Sequence, residues 1–125
     1  MAYAETHSVT IVTAADGTAT GYTPVVTGKI INIIYTKASS GNYDDGVDIA
    51  IIAEGSGIGL WTEANVNASK TVSPRQPTHT QVGVANSTAG DVLLGDIYLT
   101  NERVKITIAE GGDTKTGTFK VIVGG

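Results

Sequence analysis

Three aspartates, Asp44, Asp45 and Asp48, lie close together around Gly46. Their carboxylate oxygens are the ligand type that Ca²⁺ prefers, but the spacing does not match a helix-flanked EF-hand loop and no glutamate follows at the completing position. We therefore expect Asp44 and Asp45 to cap a turn through hydrogen bonds to the backbone, with Asp48 pointing to solvent. We predict no bound metal and no cofactor, although the sequence leaves calcium at this loop open.

Catalytic side chains do not form a recognisable set in this sequence. The two histidines, His7 and His79, are far apart, and neither has a second histidine at metal-ligand spacing. The glycine-rich residues 55–59 contain Ser56 but lack the full nucleophile-elbow pattern, and a short predicted strand follows them where a dinucleotide site needs a crossover helix. Nucleophilic catalysis needs a hydroxyl near a base that a third group orients. We predict that the protein is not an enzyme.

Aromatic side chains offer a different chemistry, because an exposed ring can stack on a sugar. The large rings that would do so are Trp61, Tyr22, Tyr35, Tyr43 and Tyr98. In a chain with one phenylalanine, the same residues are also natural fillers of a core. The sequence favours core or subunit contact for them and leaves a carbohydrate-binding module as an alternative function.

Charge argues against nucleic acid as a partner. Eight Lys and Arg against twelve Asp and Glu give a formal net charge of −4, and the positive residues are scattered. Nucleic-acid binding needs a basic face or a stacking platform. The apolar runs are far shorter than the roughly 20 residues of a membrane helix, and the first residues lack the features of a secretory signal. We expect no nucleic-acid partner, no membrane partner and synthesis in a cytoplasm.

The composition is that of a β protein. Val, Ile and Thr occupy 44 of the 125 positions, and these β-branched residues favour strands. Sixteen glycines and three prolines indicate many tight turns. The chain length suits one domain, which we place at residues 1–125.

Hydrophobic alternation predicts the strands and two hairpins. Residues 8–13 and 18–23 are expected to pair through the Asp16-Gly17 turn, and residues 104–108 and 119–123 to pair as a C-terminal hairpin. Residues 25–37 are apolar on both parities, which indicates a strand covered on two sides or one that changes faces at a bulge. The other predicted strands are residues 47–54, 60–64, 78–86 and 91–100. Together they predict an antiparallel β-sandwich of jelly-roll type, with a small β-barrel as the alternative.

The end of the chain resembles the closing segment of small proteins encoded among the head genes of tailed bacteriophages, through residues 101–106 (NERVKI) and 109–119 (AEGGDTKTGTF). Residues 10–13 (TIVT) and 16–24 (DGTATGYTP) resemble their opening hairpin, and residues 44–49 (DDGVDI) resemble their turn into a central strand. Residues 68–79 (ASKTVSPRQPTH) resemble the segment that follows. These motifs are structural turns and hairpins, not catalytic signatures.

The resemblance is to the capsid decoration, or cement, proteins. It implies a virion structural protein that binds the outer surface of the capsid and stabilises the lattice of the major capsid protein, which is the expected partner. It also implies a homo-oligomer, with dimer and trimer both open, located on the capsid after synthesis in the host cytoplasm. A tail-tube or fibre subunit is a second structural alternative, and a carbohydrate-binding module on the virion surface is the alternative from another class.

If the resemblance holds, contacts are expected from the termini and loops, where anchor side chains lie on backbone that is not committed to a strand. The expected segments are residues 1–8 as an N-terminal contact arm, the loop of residues 38–45, and residues 65–77. The candidate interface residues are Tyr3, Tyr43, Trp61, Lys70 and Arg75.

Overall fold

The structure is a computed structural model that describes residues 3–125, and these residues form β-strands and turns with no helix that could span a membrane. The strands in chain order are β1 (Ala4–Val12), β2 (Ala19–Tyr22), β3 (Val26–Lys37), β4 (Asp48–Ala53), β5 (Gly59–Glu63), β6 (Lys70–Val72), β7 (Gln76–Pro77), β8 (Ser87–Thr88), β9 (Asp91–Val92), β10 (Leu94–Gly95), β11 (Tyr98–Glu102), β12 (Val104–Ala109) and β13 (Thr116–Gly124).

Two antiparallel sheets face each other. The first has the order β1-β13-β3-β11, with β6 also beside β3, and the second has the order β2-β12-β4-β5. The pairs β1·β13, β2·β12, β3·β11 and β4·β5 are those of one long hairpin folded over on itself. This is the jelly-roll arrangement, so the predicted all-β sandwich of jelly-roll type is confirmed.

The two predicted hairpins are wrong. β1 and β2 lie in different sheets, as do β12 and β13, so each connection crosses the sandwich instead of joining neighbours. The predicted faces are nevertheless right, because Val104, Ile106 and Ile108 are buried from one sheet and Phe119, Val121 and Val123 from the other. The two crossing connections hydrogen-bond to each other: the Thr13 side chain donates to the carbonyl of Gly112 at 2.6 Å and accepts from the amide of Lys115 at 2.8 Å.

Strand β3 changes its buried face partway along. Opposite β13, Ile122 pairs with Asn32 and Val123 pairs with Ile30, so Ile31 is an extra residue. Ile30 is buried before this bulge and Ile33 after it. The bulge therefore explains the apolar residues on both parities, as one of the two sequence interpretations predicted.

Tyr43 links β1 to the loop after β3 at one end of the core. It lies in the loop after β3, and its hydroxyl donates a hydrogen bond to the carbonyl of Ile11 at 2.7 Å. Its ring is stacked beside Tyr35, with centroids 6.2 Å apart, and Tyr35 stacks on Phe119 at 5.1 Å. Gly117 leaves the room for this row, because a Cβ there would lie 2.5 Å from Tyr43 Cε2. Burial raises the pKa of the Tyr43 hydroxyl, which stays a donor.

Glu102 ties β11 to the turn between β4 and β5. Its side chain accepts hydrogen bonds from the Ser56 amide at 2.8 Å, the Ser56 hydroxyl at 3.1 Å and the Thr100 amide at 3.1 Å. Burial raises the pKa of this carboxyl, but these hydrogen bonds together outweigh burial and hold the pKa below its usual range. The ionised form is thus the one that the fold stabilises.

Tyr43→Phe is expected to destabilise the fold by about 1–2 kcal/mol, because the buried Ile11 carbonyl loses its side-chain donor. Urea unfolding followed by tryptophan fluorescence measures the change. Tyr98→Phe is the matched control, since the ring of Tyr98 is exposed, and it should leave the unfolding free energy unchanged. Equal curves for the two variants would show that the Tyr43 hydrogen bond contributes nothing.

Glu102→Gln is expected to lower the free energy of unfolding by about 1–3 kcal/mol at neutral pH, because the buried carboxylate loses its charge and one of its part-buried hydrogen bonds from a backbone amide loses its acceptor. A lowered folded-state pKa stabilises the fold above the unfolded pKa of about 4.3, and this stability is lost as pH falls through the folded pKa. The difference between wild type and variant should therefore shrink below about pH 4. Exposed Glu110→Gln serves as the control. A difference that does not change with pH would contradict the assignment.

Candidate functional site

Residues 76–96, here called the finger, leave the sandwich between β6 and β11 and contain no buried residue. Both ends of the finger are fixed in the body, since Pro74 before it and Ile97 after it are buried. The Ile97 carbonyl accepts a hydrogen bond from the Ile30 amide at 3.0 Å. The finger is therefore a surface projection whose two ends are anchored by buried residues.

Hydrogen bonds within the finger hold it together without a core. At its base β7 pairs with β10, and further out the amide of Thr78 donates to the Leu93 carbonyl at 2.8 Å. The amide of Asn86 donates to the Thr78 carbonyl at 2.8 Å, and that of Leu93 to the Asn86 carbonyl at 3.0 Å. Residues 78, 86 and 93 thus link three chain segments into a ribbon.

Two tight turns close the finger. In the first, Gly83 donates to the Thr80 carbonyl at 3.0 Å and has a φ of 83°. In the second, between β8 and β9, Ala89 and Gly90 have φ values of 53° and 86°. Positive φ at both central residues is the geometry of the type I′ hairpin turn. The local sequence therefore encodes the turns although no residue of the finger is fully buried.

Aliphatic side chains cover the finger and face water. The five large ones, with their exposed fractions, are Val82 (86%), Val84 (60%), Val92 (50%), Leu93 (45%) and Leu94 (63%). The finger contains no Lys or Arg, and its acidic residues are Asp91 and Asp96. Five exposed large aliphatic residues fall within the 13 residues 82–94, and such a concentration is typical of a surface that another macromolecule covers.

Asp96 secures the base of the finger to the first sheet. Its carboxylate lies 3.8 Å from Lys29 Nζ and 3.5 Å from Arg75 Nε. Arg75 also donates to the Pro74 carbonyl at 2.6 Å. Arg75, a predicted interface residue, is thus exposed beside the finger and is already engaged with it.

Two other predicted interface residues are exposed but lie away from the finger in the sequence. Lys70 is on β6, and its ammonium donates to Glu63 at 2.6 Å. Tyr3 is about half exposed, and its hydroxyl donates to the Thr27 carbonyl at 2.8 Å. Of the predicted N-terminal contact arm, residues 1–2 lie outside the described residues, and residues 4–8 belong to β1 instead of a free arm.

Tyr43 and Trp61 are not surface anchors, which corrects their prediction as interface residues. Both are buried, Tyr43 because its hydroxyl reaches the Ile11 carbonyl from a loop. Trp61 turns inward because β5 has an irregular register opposite β4, which buries Leu60 and Trp61 in succession. The Trp61 indole donates to Glu63 at 3.1 Å, so its ring is not presented for stacking on a sugar.

The segment that contains Asp44, Asp45 and Asp48 makes structural contacts. Asp48 accepts a hydrogen bond from the Asn65 amide at 3.1 Å, and Asp45 lies 3.9 Å from the ammonium of Lys37. The turn itself is closed by backbone atoms, since Val47 donates to the Asp44 carbonyl at 3.2 Å. Within residues 3–125 there is no group of three or more His, Asp and Glu side chains placed to hold a metal, and no pocket.

No sequence pattern identifies the finger as a site. Alternation of Val82 and Val84 with small residues predicted an ordinary strand over residues 78–86, which is wrong: that stretch holds only one isolated bridge, between His79 and Ala85. An exposed ribbon and a half-buried strand share the same period of two, so the pattern alone does not separate them. Residues 65–77, predicted as a loop, contain β6 and β7.

No family model matches the chain, and no curated protein matches it. Among solved structures it is similar to one described as the crystal structure of FLHE, with 13% identity, 98% of this chain and 96% of that chain covered, and a TM-score of 0.45. It is also similar to an exo-beta-1,3-galactanase from Phanerochaete chrysosporium solved with galactose, with 14% identity, 98% of this chain but 29% of that chain covered, and a TM-score of 0.27. At these scores and identities neither likeness assigns a function to this chain.

Proposed function

We propose that the protein is a virion structural protein that binds the outer surface of a tailed-bacteriophage capsid and stabilises the lattice of its major capsid protein. The observation that carries the proposal is the finger, a firmly seated projection whose aliphatic side chains face water. The resemblance of the chain to capsid decoration proteins supplies the class of partner.

The finger is suited to protein contact because its exposed aliphatic side chains do not belong to the hydrophobic core. Val82, Val84 and Leu94 are each more than half exposed. Burial of a Val or Leu side chain contributes about 1.5–3 kcal/mol. A partner surface that covers these residues would therefore stabilise the complex through apolar burial that the isolated protein lacks.

Order within the finger favours tight binding. Its backbone is hydrogen-bonded along its length, and Asp96 contacts Lys29 and Arg75 at the base. A contact element that is ordered before binding loses less conformational entropy when it binds. The finger can therefore act as a preformed element that inserts between capsid subunits.

Stabilisation of a shell follows from linkage. A protein that binds the expanded lattice more tightly than the unexpanded one shifts the equilibrium toward the expanded form. The net charge of −4 suits the outer face of the shell, where packaged nucleic acid is not a partner. Binding of many copies adds many such contributions around one shell.

Purified protein mixed with expanded capsids that lack it should co-sediment at a saturating, fixed ratio to capsid subunits and raise the melting temperature of the shell. Val84→Asp should weaken the binding by at least about tenfold, because a charge replaces an aliphatic contact. Val12→Asp is the matched control, since Val12 is similarly exposed on β1, and it should bind as wild type does.

Failure of wild type to bind or stabilise the shell would reject the proposed function. If wild type binds the capsid and Val84→Asp binds it equally tightly, the proposed function stands but the finger is not the contact surface.

A further inference from the structure

β1 is an edge strand with an unused side. One side pairs with β13 over nine residues, and no strand within residues 3–125 pairs with the other. Natural proteins commonly protect such edges with lysine, proline or a bulge. β1, with the sequence AETHSVTIV, contains neither lysine nor proline, and its register with β13 is continuous. An edge of this kind is a template for pairing with another strand.

The direction of the free backbone groups follows from the two ends of β1. The Tyr3 carbonyl accepts from the Gly125 amide at 3.1 Å, and the Thr13 amide donates to the Lys115 carbonyl at 2.8 Å. Both contacts are on the β13 side. Because hydrogen-bonded and non-hydrogen-bonded positions alternate along an antiparallel strand, the even-numbered residues Ala4, Thr6 and Ser8 direct their N–H and C=O groups to the free edge.

The N-terminal half of β1 is the accessible half. β2 packs against the other half, where a Cβ on Gly21 would lie 2.7 Å from Ile11 Cδ1 and 3.4 Å from Val9 Cγ1. Residues 4–8 are exposed except for half-buried His7. A strand added to this edge would therefore meet residues 4–8 first.

Charge selects one register for a second copy of this strand. In a two-fold antiparallel pair, one residue lies opposite itself. If the two-fold axis passes beside Glu5, two carboxylates lie opposite each other. If it passes beside His7, two imidazoles do. Centring on Ser8 places Glu5 against Ile11. Centring on Thr6 places each Glu5 opposite His7 of the partner subunit.

The Thr6-centred register is also complementary at its other positions. Glu5 and His7 of the partner subunit meet at a non-hydrogen-bonded position, where Cα atoms are about 4.5 Å apart, and the ring N–H can donate to the carboxylate. Within one copy, His7 Nε2 already lies 3.2 Å from Glu5 Oε2, so the groups are positioned to extend this contact. Tyr3 lies opposite Val9 of the partner subunit, an aromatic and β-branched pair that stabilises sheets.

We propose that the protein forms a two-fold symmetric dimer in which the β1 strands of two copies pair antiparallel about Thr6. The backbone groups of Ala4, Thr6 and Ser8 exchange hydrogen bonds with those of Ser8, Thr6 and Ala4 of the partner subunit. The first sheets of the two copies then form one continuous sheet. This inference is independent of the proposed capsid function.

Single cysteines test the register, because the chain has none of its own. Thr6→Cys should form a disulfide-linked dimer under mild oxidation, since the two Cα atoms would be about 5.5 Å apart. Ser8→Cys and Thr10→Cys are matched controls on the same side of the strand. Their Cα pairs would be about 14 Å and 27 Å apart, so they should crosslink at least about tenfold more slowly.

Association of the unmodified protein supplies the second measurement. Sedimentation velocity across a concentration series should show a monomer–dimer equilibrium for wild type. Thr6→Pro removes an amide directed to the free edge and should raise the dimer Kd by at least about tenfold, with a melting curve to check the fold. A wild type that is monomeric throughout, or a Ser8→Cys variant that crosslinks as fast as Thr6→Cys, would overturn the proposal; should Thr6→Pro not fold, the cysteine series decides.

Discussion

Tyr43, Tyr35 and Phe119 form a row of rings at the end of the sandwich where the chain crosses between sheets. The row depends on Gly117, which leaves room for two tyrosine rings, and on the Tyr43 hydroxyl, which satisfies the Ile11 carbonyl. Because β1, β3 and β13 each contribute to it, the row fixes the first sheet relative to the loop after β3. The crossing connections, and through them the second sheet, are built against this end of the core, where Asp44 donates its amide to Gly111.

Much of the architecture could be predicted from side-chain alternation. The buried faces of β4, β12 and β13 and the face change in β3 follow from apolar spacing, because the period of a strand is two. Side-chain alternation does not show which strands pair with each other. Val104, Ile106 and Ile108 occupy the predicted face, yet β12 pairs with β2 and β4 and not with β13. β1 and β2, like β12 and β13, follow each other in the chain but lie in opposite sheets, so a hairpin interpretation fails for both pairs.

The candidate site was less accessible to sequence reasoning. The sequence predicts Tyr43 at the surface because it lies in a loop. Its hydrogen-bond partner, Ile11, is distant in the sequence, so no local pattern predicts that Tyr43 is buried. Arg75 is exposed, and its guanidinium contacts Asp96 at the base of the finger, a contact that no sequence pattern predicts. The finger shows the converse problem: good local turns and alternating valines look like a strand, and only the fold reveals that nothing lies behind them.

The finger and the free side of β1 lie at opposite edges of the first sheet, since β6 and β11 flank β3 on the side away from β13. In a pair joined through β1, the two β11 strands would end about 34 Å apart across an eight-strand span. Such an assembly is divalent: once one end is bound, the other samples nearby subunits at a high effective concentration, and avidity can exceed single-site affinity by orders of magnitude. A small domain could then remain bound to a repeating lattice through contacts that are individually weak.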